Sequence, residues 1–465
     1  MLELHEQCTV PRSPTAVFNY LADFSSAAEW DPTTLSARRL DSGPPRVGSR
    51  FELNCALPLG SIRVTYRLTH LEAGRCLRLS GSSRLFDVDD EIILHPENDG
   101  CLIDYRASFR FPAAIERYLQ QHPEKFVAMG QRTMEGLEEA LSDDNAAPVP
   151  RADTECADRW LLPGIAHFTR YGYQRGKKRW KPCSTDISGR HMIITGATSG
   201  LGEAAARSLA EAGAALTLVV RDQSRGKDLV ESLQAASGNS DIHLELADLS
   251  LLQAVDDLCA RLLQRGRPID ALINNAGALF NDKTITAEGM EQSYALLLLS
   301  PWRLTTALQP LLVQSGDARV VNVVSGGMYT QRLDLRCLTG QSEHYNGSVA
   351  YAQAKRALMI ATEYLADEWR DHGIVVNAMH PGWADTPGVA SALPAFRRLT
   401  APLLRSPEQG ADTMVWLARA REAGLVSGRL FLDREPRTTH LLKRTEESAE
   451  ERTALLELLS EYRPG

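Results

Sequence analysis

Several classes of protein are excluded by what this sequence lacks. Its eight cysteines are scattered, and none forms a CxxC pair or a cluster with histidine, so the sequence predicts neither a disulfide framework nor a metal site. It has no apolar run of about 18 residues, which excludes a helix that spans a membrane. The opening MLELHEQCTVPRSP lacks the basic and apolar regions of a secretory leader. These absences predict a cytoplasmic protein with free thiols.

A surplus of basic charge is also missing. The chain has 51 Lys and Arg residues against 59 Asp and Glu residues, and its net charge is −8. Nucleic acid is therefore not expected as a partner. What is present is the composition of a globular protein, with 43% hydrophobic and 24% charged residues. At 465 residues the chain is too long for one ordinary domain and predicts two or three.

Residues 1–142 are predicted to form a separate α+β unit. A strand is expected over Leu2–Val10, and Ser13 followed by Pro14 marks a helix start, as N-cap and first-turn proline. A long helix is predicted over Pro123–Leu141 because its apolar residues recur at helical spacing. Between these helices, runs of strand-forming residues predict five strands: Arg50–Leu57, Ser61–Leu71, Cys76–Gly81, Phe86–His95 and Cys101–Phe111.

This order of elements, together with the segment VFNYLADFSSAAEWDP, resembles the helix-grip fold of the START-like, polyketide-cyclase-like (SRPBCC) superfamily. The resemblance implies an apolar cavity beneath the long helix that binds a lipid, a polyketide or another hydrophobic small molecule. The sequence shows no catalytic group of residues in this unit, because His70, His95 and Asp104 are isolated from one another.

Residues 143–186 are predicted to link this unit to the next one. Asp143–Pro150 is polar and rich in Pro and Ala. Arg170–Lys181 (RYGYQRGKKRWK) has six basic and no acidic residues, with three aromatic residues among them. Two interpretations stay open: a solvated basic segment that packs its aromatic residues on the following domain, or a peripheral contact with anionic lipid headgroups. Gly172 and Gly176 argue against a continuous amphipathic helix there.

From residue 187 to 440, short apolar strands alternate with helices, which predicts an α/β Rossmann fold with a doubly wound parallel sheet. Thr195–Gly202 (TGATSGLG) lies between a predicted strand and a predicted helix. Glycines there let the pyrophosphate of a dinucleotide approach the N–H groups at a helix N-terminus. Downstream lie NNAG and then YAQAK, in which Tyr351 and Lys355 share one helix face. Residues 441–465 are charged and predict a tail helix.

These motifs, in this order, resemble those of the short-chain dehydrogenase/reductase family, and the segments VSGGMY and HPGWADTPGV are similar to its retinol-dehydrogenase-like branch. The resemblance implies an oxidoreductase that interconverts a carbonyl and an alcohol on a hydrophobic small molecule. It implies three catalytic residues. Ser325 would hydrogen-bond the substrate oxygen and Tyr351 would exchange its proton. Lys355 would bind the nicotinamide ribose and lower the pKa of the tyrosine.

Positions that match the family's cofactor contacts extend over the whole domain. They are Thr195, Gly196, Thr198, Ser199, Gly200, Leu201, Gly202, Asp248, Leu249, Asn275, Ala276, Gly277, Tyr351, Lys355, Pro381, Gly382 and Thr386. Arg221 and Asp222 bear on the choice of cofactor because they follow the second strand. An acidic residue there bonds to the ribose of NAD, whereas an Arg accommodates the 2′-phosphate of NADP. Arg221 favours NADP(H), and NAD(H) stays open through Asp222.

One residue departs from the family pattern. An Asn in the helix before the serine strand usually holds a water of the proton relay, and Leu297 occupies that position. Three explanations stay open: the relay is rewired, the alignment is shifted, or activity is impaired. The last allows an alternative function, a non-catalytic protein that senses the cofactor or binds a hydrophobic ligand.

A mobile lid over the substrate is predicted across Ala390–Leu404, by resemblance to similar enzymes. Its apolar residues suggest contact with an apolar substrate: Leu393, Phe396, Leu399 and Leu403. Ordinary packing of a surface helix is the other interpretation. The sequence does not indicate an oligomeric state.

Overall fold

The chain folds into two compact units, Met1–Asp158 and Arg159–Gly465. The computed structural model describes residues 2–41, 45–57, 60–97, 100–121, 123–142, 166–178, 180, 187–369, 372–392, 394–420 and 422–464. The first unit has one hydrophobic core, and the second has a core on each face of its sheet.

An antiparallel sheet and four helices make up the first unit within the described residues. The strands are β1 (Leu2–Val10), β2 (Thr34–Arg39), β3 (Arg50–Leu57), β4 (Gly60–Glu72), β5 (Cys76–Ser82), β6 (Asp87–Glu97) and β7 (Gly100–Arg110). The helices are α1 (Pro14–Ala22), α2 (Ala27–Trp30), α3 (Ala113–Gln121) and α4 (Pro123–Ser142). The sheet order is β1-β7-β6-β5-β4-β3-β2, a curled sheet with a long helix, which confirms the predicted helix-grip fold.

Alternation along these strands explains the core of the first unit. In β6 the buried residues Val88, Asp90 and Ile92 alternate with more exposed neighbours, so one face of the strand points inward. Leu137 and Leu141 of α4 belong to the same core. All five predicted strands are present to within one or two residues at each end. Ser13 caps α1, since its Oγ accepts a hydrogen bond from the Ala16 N–H at 3.3 Å.

Two elements of the first unit were missed from the sequence. Strand β2, TLSARR, lacks a clean alternation of apolar residues and is held by pairing with β3, with a register shift between Thr34 and Ser36. Helix α3 precedes α4 and contains good helix formers. Pro123 begins α4, and a proline is favoured in the first turn of a helix. The predicted long helix is therefore preceded by a separate short one.

The second unit alternates strands with helices. Its strands are β8 (His191–Thr195), β9 (Ala215–Val220), β10 (Ile242–Leu246), β11 (Ala271–Asn274), β12 (Ala318–Val323), β13 (Ile374–Met379), β14 (Leu430–Leu432) and β15 (Glu435–Arg437). Its first helices are α5 (Arg170–Lys177), α6 (Gly200–Glu211), α7 (Gln223–Ser237), α8 (Leu252–Arg265), α9 (Gln292–Ala307) and α10 (Gln309–Ser315). The later helices are α11 (Leu335–Leu338), α12 (Gly347–Glu368), α13 (Pro387–Ala392), α14 (Pro394–Thr400), α15 (Pro407–Arg419) and α16 (Ala449–Ser460).

The strand order explains where a ligand would bind. It is β10-β9-β8-β11-β12-β13-β14-β15, parallel except for the final pair, which is antiparallel. The chain runs outward from β8 in one direction to β10 and then returns to the other side at β11. Ligands of such sheets bind beyond the carboxyl ends of the strands at this reversal. The prediction of a doubly wound Rossmann sheet is confirmed.

Helix α5 corrects one expectation about the basic segment. We expected Gly172 and Gly176 to interrupt a helix, yet α5 runs through both. A Cβ at Gly172 would lie 2.6 Å from the His167 carbonyl oxygen, and one at Gly176 would lie 3.1 Å from the Trp180 ring. Close packing therefore requires these glycines. The other residues of the predicted linker, 143–165, 179 and 181–186, lie outside the described residues.

The predicted tail helix is part of the second unit's core. It is α16, and its N-cap Ser448 forms a capping box with Glu451. Leu455 and Leu459 are fully buried in the core that α12 also enters. Among the described residues, no single helix is long and apolar enough to cross a membrane. One bent pair of helices, Gln292–Ala307 with Gln309–Ser315, meets that test by length and composition alone.

Candidate active site

The glycine loop after β8 is built for close approach by a ligand backbone or phosphate. Gly196 and Gly200 have φ of +66° and +58°, a region that favours glycine. A Cβ at Gly202 would collide with the Gly196 carbonyl oxygen and lie 2.5 Å from Asn275 Nδ2. Helix α6 begins at Gly200, so its N–H groups face the loop, as pyrophosphate binding requires.

Hydrogen bonds join this loop to the NNAG segment after β11. Thr195 Oγ1 accepts from the N–H groups of Asn275 at 3.0 Å and Ala276 at 2.9 Å. Asn275 Nδ2 donates to the carbonyl oxygens of Thr195 at 2.9 Å and Gly196 at 3.1 Å. The two predicted cofactor segments therefore hold one another in place across the reversal of the sheet.

Arg221 and Asp222 differ in what their side chains already do. Both are exposed after β9. Asp222 is the N-cap of α7, and its Oδ1 accepts from the Arg225 N–H at 3.1 Å. Arg225 in turn donates to the Thr198 carbonyl oxygen at 2.9 Å. The Asp222 carboxylate thus stabilises the start of α7. The Arg221 side chain, by contrast, forms no hydrogen bond or ion pair among the described residues.

Asp248 and Leu249 follow β10 at the same edge of the sheet. The Asp248 carboxylate accepts from the N–H and the hydroxyl of Ser250, at 3.0 Å and 2.7 Å. It is exposed, and Leu249 is buried in the core. Asp248 therefore shapes the turn that starts α8, in addition to any contact with adenine.

Helix α12 and the end of β12 bring the three predicted catalytic residues together. Lys355 is buried, and its Nζ lies 5.9 Å from the centre of the Tyr351 ring. It donates a hydrogen bond of 2.6 Å to the Val323 carbonyl oxygen. Burial raises the pKa of Tyr351, and a hydrogen bond with Ser325 opposes that rise. Burial also lowers the pKa of Lys355 to about 7.

These shifts correct the expected electrostatics. We expected the Lys355 ammonium to lower the pKa of Tyr351, but the structure raises that pKa. The reason is that burial disfavours both charged forms, while the ammonium is directed at the Val323 carbonyl. A tyrosine with a raised pKa stays protonated at neutral pH and is available as an acid.

Leu297 reaches the site. It lies in a π-helical stretch of α9, Ala295–Leu299, and is fully buried. A Cβ placed on Gly277 would be 3.0 Å from Leu297 Cδ2 and 3.8 Å from Lys355 Nζ. Leu297 and Lys355 therefore both approach Gly277, and the assignment of Leu297 to the position of the relay Asn stays a prediction. Stretches of π-helix are frequent at functional sites.

The segment after β13 supplies the remaining predicted contacts. Gly382 has a φ of +70°, and its N–H donates to His380 Nδ1 at 3.2 Å. Thr386 lies beside the glycine loop, since a Cβ on Gly200 would be 3.3 Å from its Cγ2. Burial, with the nearby Arg405 and Arg437 charges, lowers the pKa of His380 to about 3. Pro381 and Gly382 are partly buried at this edge.

A buried arginine that the sequence analysis missed anchors this segment. Arg405 and Asp433 form a buried ion pair with contacts of 2.6 Å and 2.9 Å. Arg405 also donates to the carbonyl oxygens of His167, Phe168 and Thr169. Its backbone bonds to Trp383 and Asp385 at 2.8 Å each. Arg405 and His167 are 238 residues apart in the chain, and no local pattern in the sequence indicates a contact between them.

Aromatic residues of the basic segment pack on the same region. Tyr173 is buried, and its ring meets that of Trp180 edge-on with centres 5.1 Å apart. The guanidinium of Arg434 lies 4.4 Å from the centre of the Trp180 ring. Tyr171 is more than half exposed. The contact of this segment with lipid stays a prediction.

The predicted lid forms two short helices, α13 and α14. Leu399 in α14 is 82% exposed, and both interpretations of this segment, a lid over the substrate or a surface helix, stay predictions. Leu403 is partly exposed. Arg397 pairs with Asp385 at 2.6 Å, which ties the lid to the segment that Arg405 anchors. Leu393 and the side chain of Phe396 lie outside the described residues.

Comparisons with known proteins show what each unit is similar to. Residues 190–395 match the model of the short chain dehydrogenase family, and residues 1–141 match that of the polyketide cyclase / dehydrase and lipid transport family. The chain is 39% identical to dehydrogenase/reductase SDR family member 12 of Bos taurus over 307 residues, 65% of this chain and 96% of that protein. It is 29% identical to human retinol dehydrogenase 13 over 258 residues, 54% of this chain and 78% of that protein.

Among solved structures, L-sorbose reductase from Gluconobacter frateurii, complexed with NADPH and L-sorbose, is 25% identical with a TM-score of 0.45, and the match covers 53% of this chain and 95% of that one. The similarity to retinol dehydrogenases and to family member 12 confirms the resemblance inferred from the motifs. On the strength of this identity over nearly the full length of a relative, the chain belongs to the short-chain dehydrogenase/reductase family.

Proposed function

We propose that this protein is an NADP(H)-dependent oxidoreductase that interconverts a carbonyl and an alcohol on a hydrophobic small molecule, and that its first unit binds an apolar ligand. One observation carries the proposal: Ser325, Tyr351 and Lys355 meet in one place at the edge of the sheet where the glycine loop lies. Such an edge is where open α/β sheets bind their ligands.

Each residue of the site has its own part in the proposed reaction. The nicotinamide cofactor supplies the hydride when it is bound. Tyr351, whose phenol is protonated at neutral pH and whose pKa burial raises further, donates a proton to the substrate oxygen in reduction. Ser325 hydrogen-bonds the same oxygen and holds it beside the phenol. Lys355 orients the cofactor ribose, and the glycine loop with α6 receives the pyrophosphate.

Arg221 supports the preference for NADP(H). It is exposed directly after β9, where a 2′-phosphate would lie, and a guanidinium binds phosphate well. Asp222, the rival residue for NAD(H), already caps α7 with its carboxylate.

A hydrophobic substrate is supported by the exposed Leu399 in the lid. It is also supported by the named function of the retinol dehydrogenases to which the chain is similar.

A second candidate is a non-catalytic protein that senses the cofactor or binds a hydrophobic ligand. Leu297 favours it, because a leucine beside Lys355 cannot hold a relay water. The intact Ser325, Tyr351 and Lys355 oppose it.

Calorimetric titration of the full-length protein with NADPH and with NADH tests the cofactor proposal. We expect NADPH to bind at least about tenfold more tightly than NADH, because an Arg–phosphate pair contributes more than about 1.4 kcal/mol. Arg221→Glu should remove that preference and leave NADH affinity within about threefold. Arg207→Glu, an exposed arginine on α6 that pairs with Glu203, is the matched control and should change neither affinity.

The other outcomes are equally informative. A preference for NADH would contradict the proposal and assign Asp222 to the ribose. Binding of neither cofactor would favour a reductase fold that serves the ligand-binding unit without turnover.

A further inference from the structure

A cluster of polar side chains lies inside the first unit, where the sequence showed no chemistry. At its centre, Asp90 of β6 is 2% exposed. Its Oδ1 accepts a hydrogen bond from the Tyr105 hydroxyl at 3.0 Å. Its Oδ2 is buried and has no hydrogen-bond partner within the part of the chain that the structure describes.

Tyr66 approaches the same carboxyl from two strands away. Its ring crosses Gly81, where a Cβ would be only 2.7 Å from the ring. Gly81 pairs with Tyr66 on one side and with Val88 of β6 on the other. The missing side chain at Gly81 therefore lets the phenol extend over β5 toward Asp90. The Tyr66 hydroxyl is near enough to oppose the rise in the Asp90 pKa, although no hydrogen bond joins it to Oδ2 among the described residues.

The cluster continues toward the surface. Asp31, which follows α2, accepts hydrogen bonds from the hydroxyls of Thr34 at 2.6 Å and Thr33 at 2.9 Å. Thr34 in turn lies 3.9 Å from Cys55 Sγ. Asp31 and Cys55 are partly exposed, whereas Asp90 and Thr34 are buried. The polar side chains thus run from partly exposed positions to fully buried ones.

Aromatic rings surround this inner end. Trp30 meets Tyr105 edge-on with ring centres 6.3 Å apart, and Phe24 lies 5.0 Å from Tyr66 by the same measure. Phe24 also contacts Phe51 and Trp30. An apolar molecule would be in contact with rings on its sides and with hydroxyl and carboxyl groups at its end.

A purely structural role does not account for this arrangement. A buried acceptor without a hydrogen bond is disfavoured, and native cores leave few such groups. Burial, with the nearby charges of Asp31 and Asp89, raises the pKa of Asp90 to about 7. Within the described residues, no basic side chain forms an ion pair with it. Groups that cost stability in this way are characteristic of binding and catalytic sites.

We propose that Asp90, Tyr66 and Tyr105 form the polar end of a binding site for an apolar molecule that carries a hydroxyl group. The inference rests on the proposed apolar-ligand role of this unit and specifies its ligand class. A hydroxyl both donates and accepts, so it can satisfy Oδ2 in either protonation state of the carboxyl. Alcohols are also the class of compound that the second unit is proposed to oxidise or produce.

Three probes of one shape test this inference on the full-length chain. The first is naphthol, whose hydroxyl both donates and accepts a hydrogen bond. The second is its methyl ether, which only accepts, and the third is naphthalene, which does neither. Titration is followed by naphthalene fluorescence. We expect the wild-type protein to bind naphthol at least about tenfold more tightly than the ether. The reason is that one hydrogen bond to a charged or strongly polar group contributes about that much to affinity.

Three variants locate the site. Asp90→Val, which cannot bond a hydroxyl, should reduce the preference for naphthol to less than about threefold. Glu91→Gln is the matched control, because Glu91 lies next to Asp90 on the outer face of β6 and pairs with the exposed Arg78. It should keep the full preference. Tyr105→Phe removes one oxygen only and should lower the preference severalfold, which keeps the test decisive if Asp90→Val fails to fold by circular dichroism.

The outcomes separate this inference from the proposed function. Equal binding of all three probes, or an undiminished preference in Asp90→Val, would overturn the inference and leave an apolar-ligand role standing. Binding of no probe would overturn both. Neither result depends on turnover, so an inactive reductase site cannot be mistaken for a failed ligand site.

Discussion

Tyr351 and Lys355 are each biased by burial toward their neutral forms. The pKa of the tyrosine is raised, and that of the lysine is lowered to about 7, because a buried environment disfavours charge. A neutral phenol can donate a proton at once, whereas oxidation of an alcohol needs the tyrosinate.

Tyr351→Phe tests whether the phenol exchanges that proton. We expect the rate of NADPH oxidation with apolar aldehydes to fall by about 10²- to 10⁴-fold, the usual contribution of a general acid. NADPH affinity should be unchanged, because the ring remains. Tyr364→Phe is the control on the same helix, since Tyr364 packs on Trp302 in the core away from Ser325. Equal rates in both variants would contradict the assigned role.

Leu297 gives a second test at the residue scale. Leu297→Asn introduces an amide beside Gly277, which Lys355 Nζ also approaches, and we expect kcat to rise while the Kd for NADPH is unchanged. The buried amide should also lower stability by about 1–3 kcal/mol. Leu297→Met, which cannot hold a water, is the control. A fall in kcat with Asn, together with wild-type folding by circular dichroism, would indicate that the relay is already rewired around the leucine.

At the element scale, α5 and the segment after β13 act as one structure through Arg405. The ion pair with Asp433 is buried, with side chains 1% and 4% exposed, and three carbonyl groups before α5 complete the hydrogen bonds of the guanidinium. Full satisfaction of the donors is what makes such a buried charge tolerable. A shortened form of this chain that begins after residue 186 would lack residues 167–169 and therefore lose their hydrogen bonds with Arg405.

Arg405→Met is expected to lower the free energy of unfolding by about 3–5 kcal/mol, because it leaves Asp433 buried without its partner. It should also weaken NADPH binding, since residues 381–386 lose their anchor. Chemical denaturation and calorimetry would measure the two effects. Arg397→Met is the control, because its pair with Asp385 is exposed and surface pairs contribute little. Similar losses in both variants would contradict the special role of Arg405.

At the scale of the whole molecule, the two units carry buried groups with opposite responses to pH. The pKa of Asp90 is raised from 3.8 to about 7 by burial. Its contribution to stability is therefore present below 3.8 and is lost as pH rises through about 7. The pKa of His380 is lowered from 6.5 to about 3 by burial. Its contribution is present above 6.5 and is lost as pH falls toward 3.

Calorimetric scans of the full chain between about pH 5 and 8 should therefore show two unfolding transitions that move in opposite directions. As pH falls, the transition of the first unit should shift upward and that of the second unit downward, each by several degrees. Asp90→Asn should reduce the shift of the first unit without abolishing it, because burial also raises the pKa of Asp31, which stays in place with Asp89, Tyr66 and Tyr105. Transitions that move together would contradict this assignment.

Much of the fold and part of the site follow from short stretches of sequence. The glycine loop, the Tyr351–Lys355 spacing and the cap at Ser13 depend on backbone conformation and on neighbours three or four residues away, so local sequence encodes them. Strand β2 was missed because its residues lack alternation and its pairing with β3 decides its structure. The helix through Gly172 and Gly176 was not expected, because close packing in the folded chain explains the glycines at these two positions.

The two folds, the nicotinamide family and the candidate residues for proton and phosphate chemistry can all be inferred from the amino-acid sequence. The folded chain is needed to see that Arg405 anchors the backbone of residues 167–169, that Leu297 lies against Gly277, and that phenols from two other strands approach Asp90. Each of these contacts joins residues far apart in the chain. Strand order and close packing bring such residues together, and neither is encoded in any local pattern.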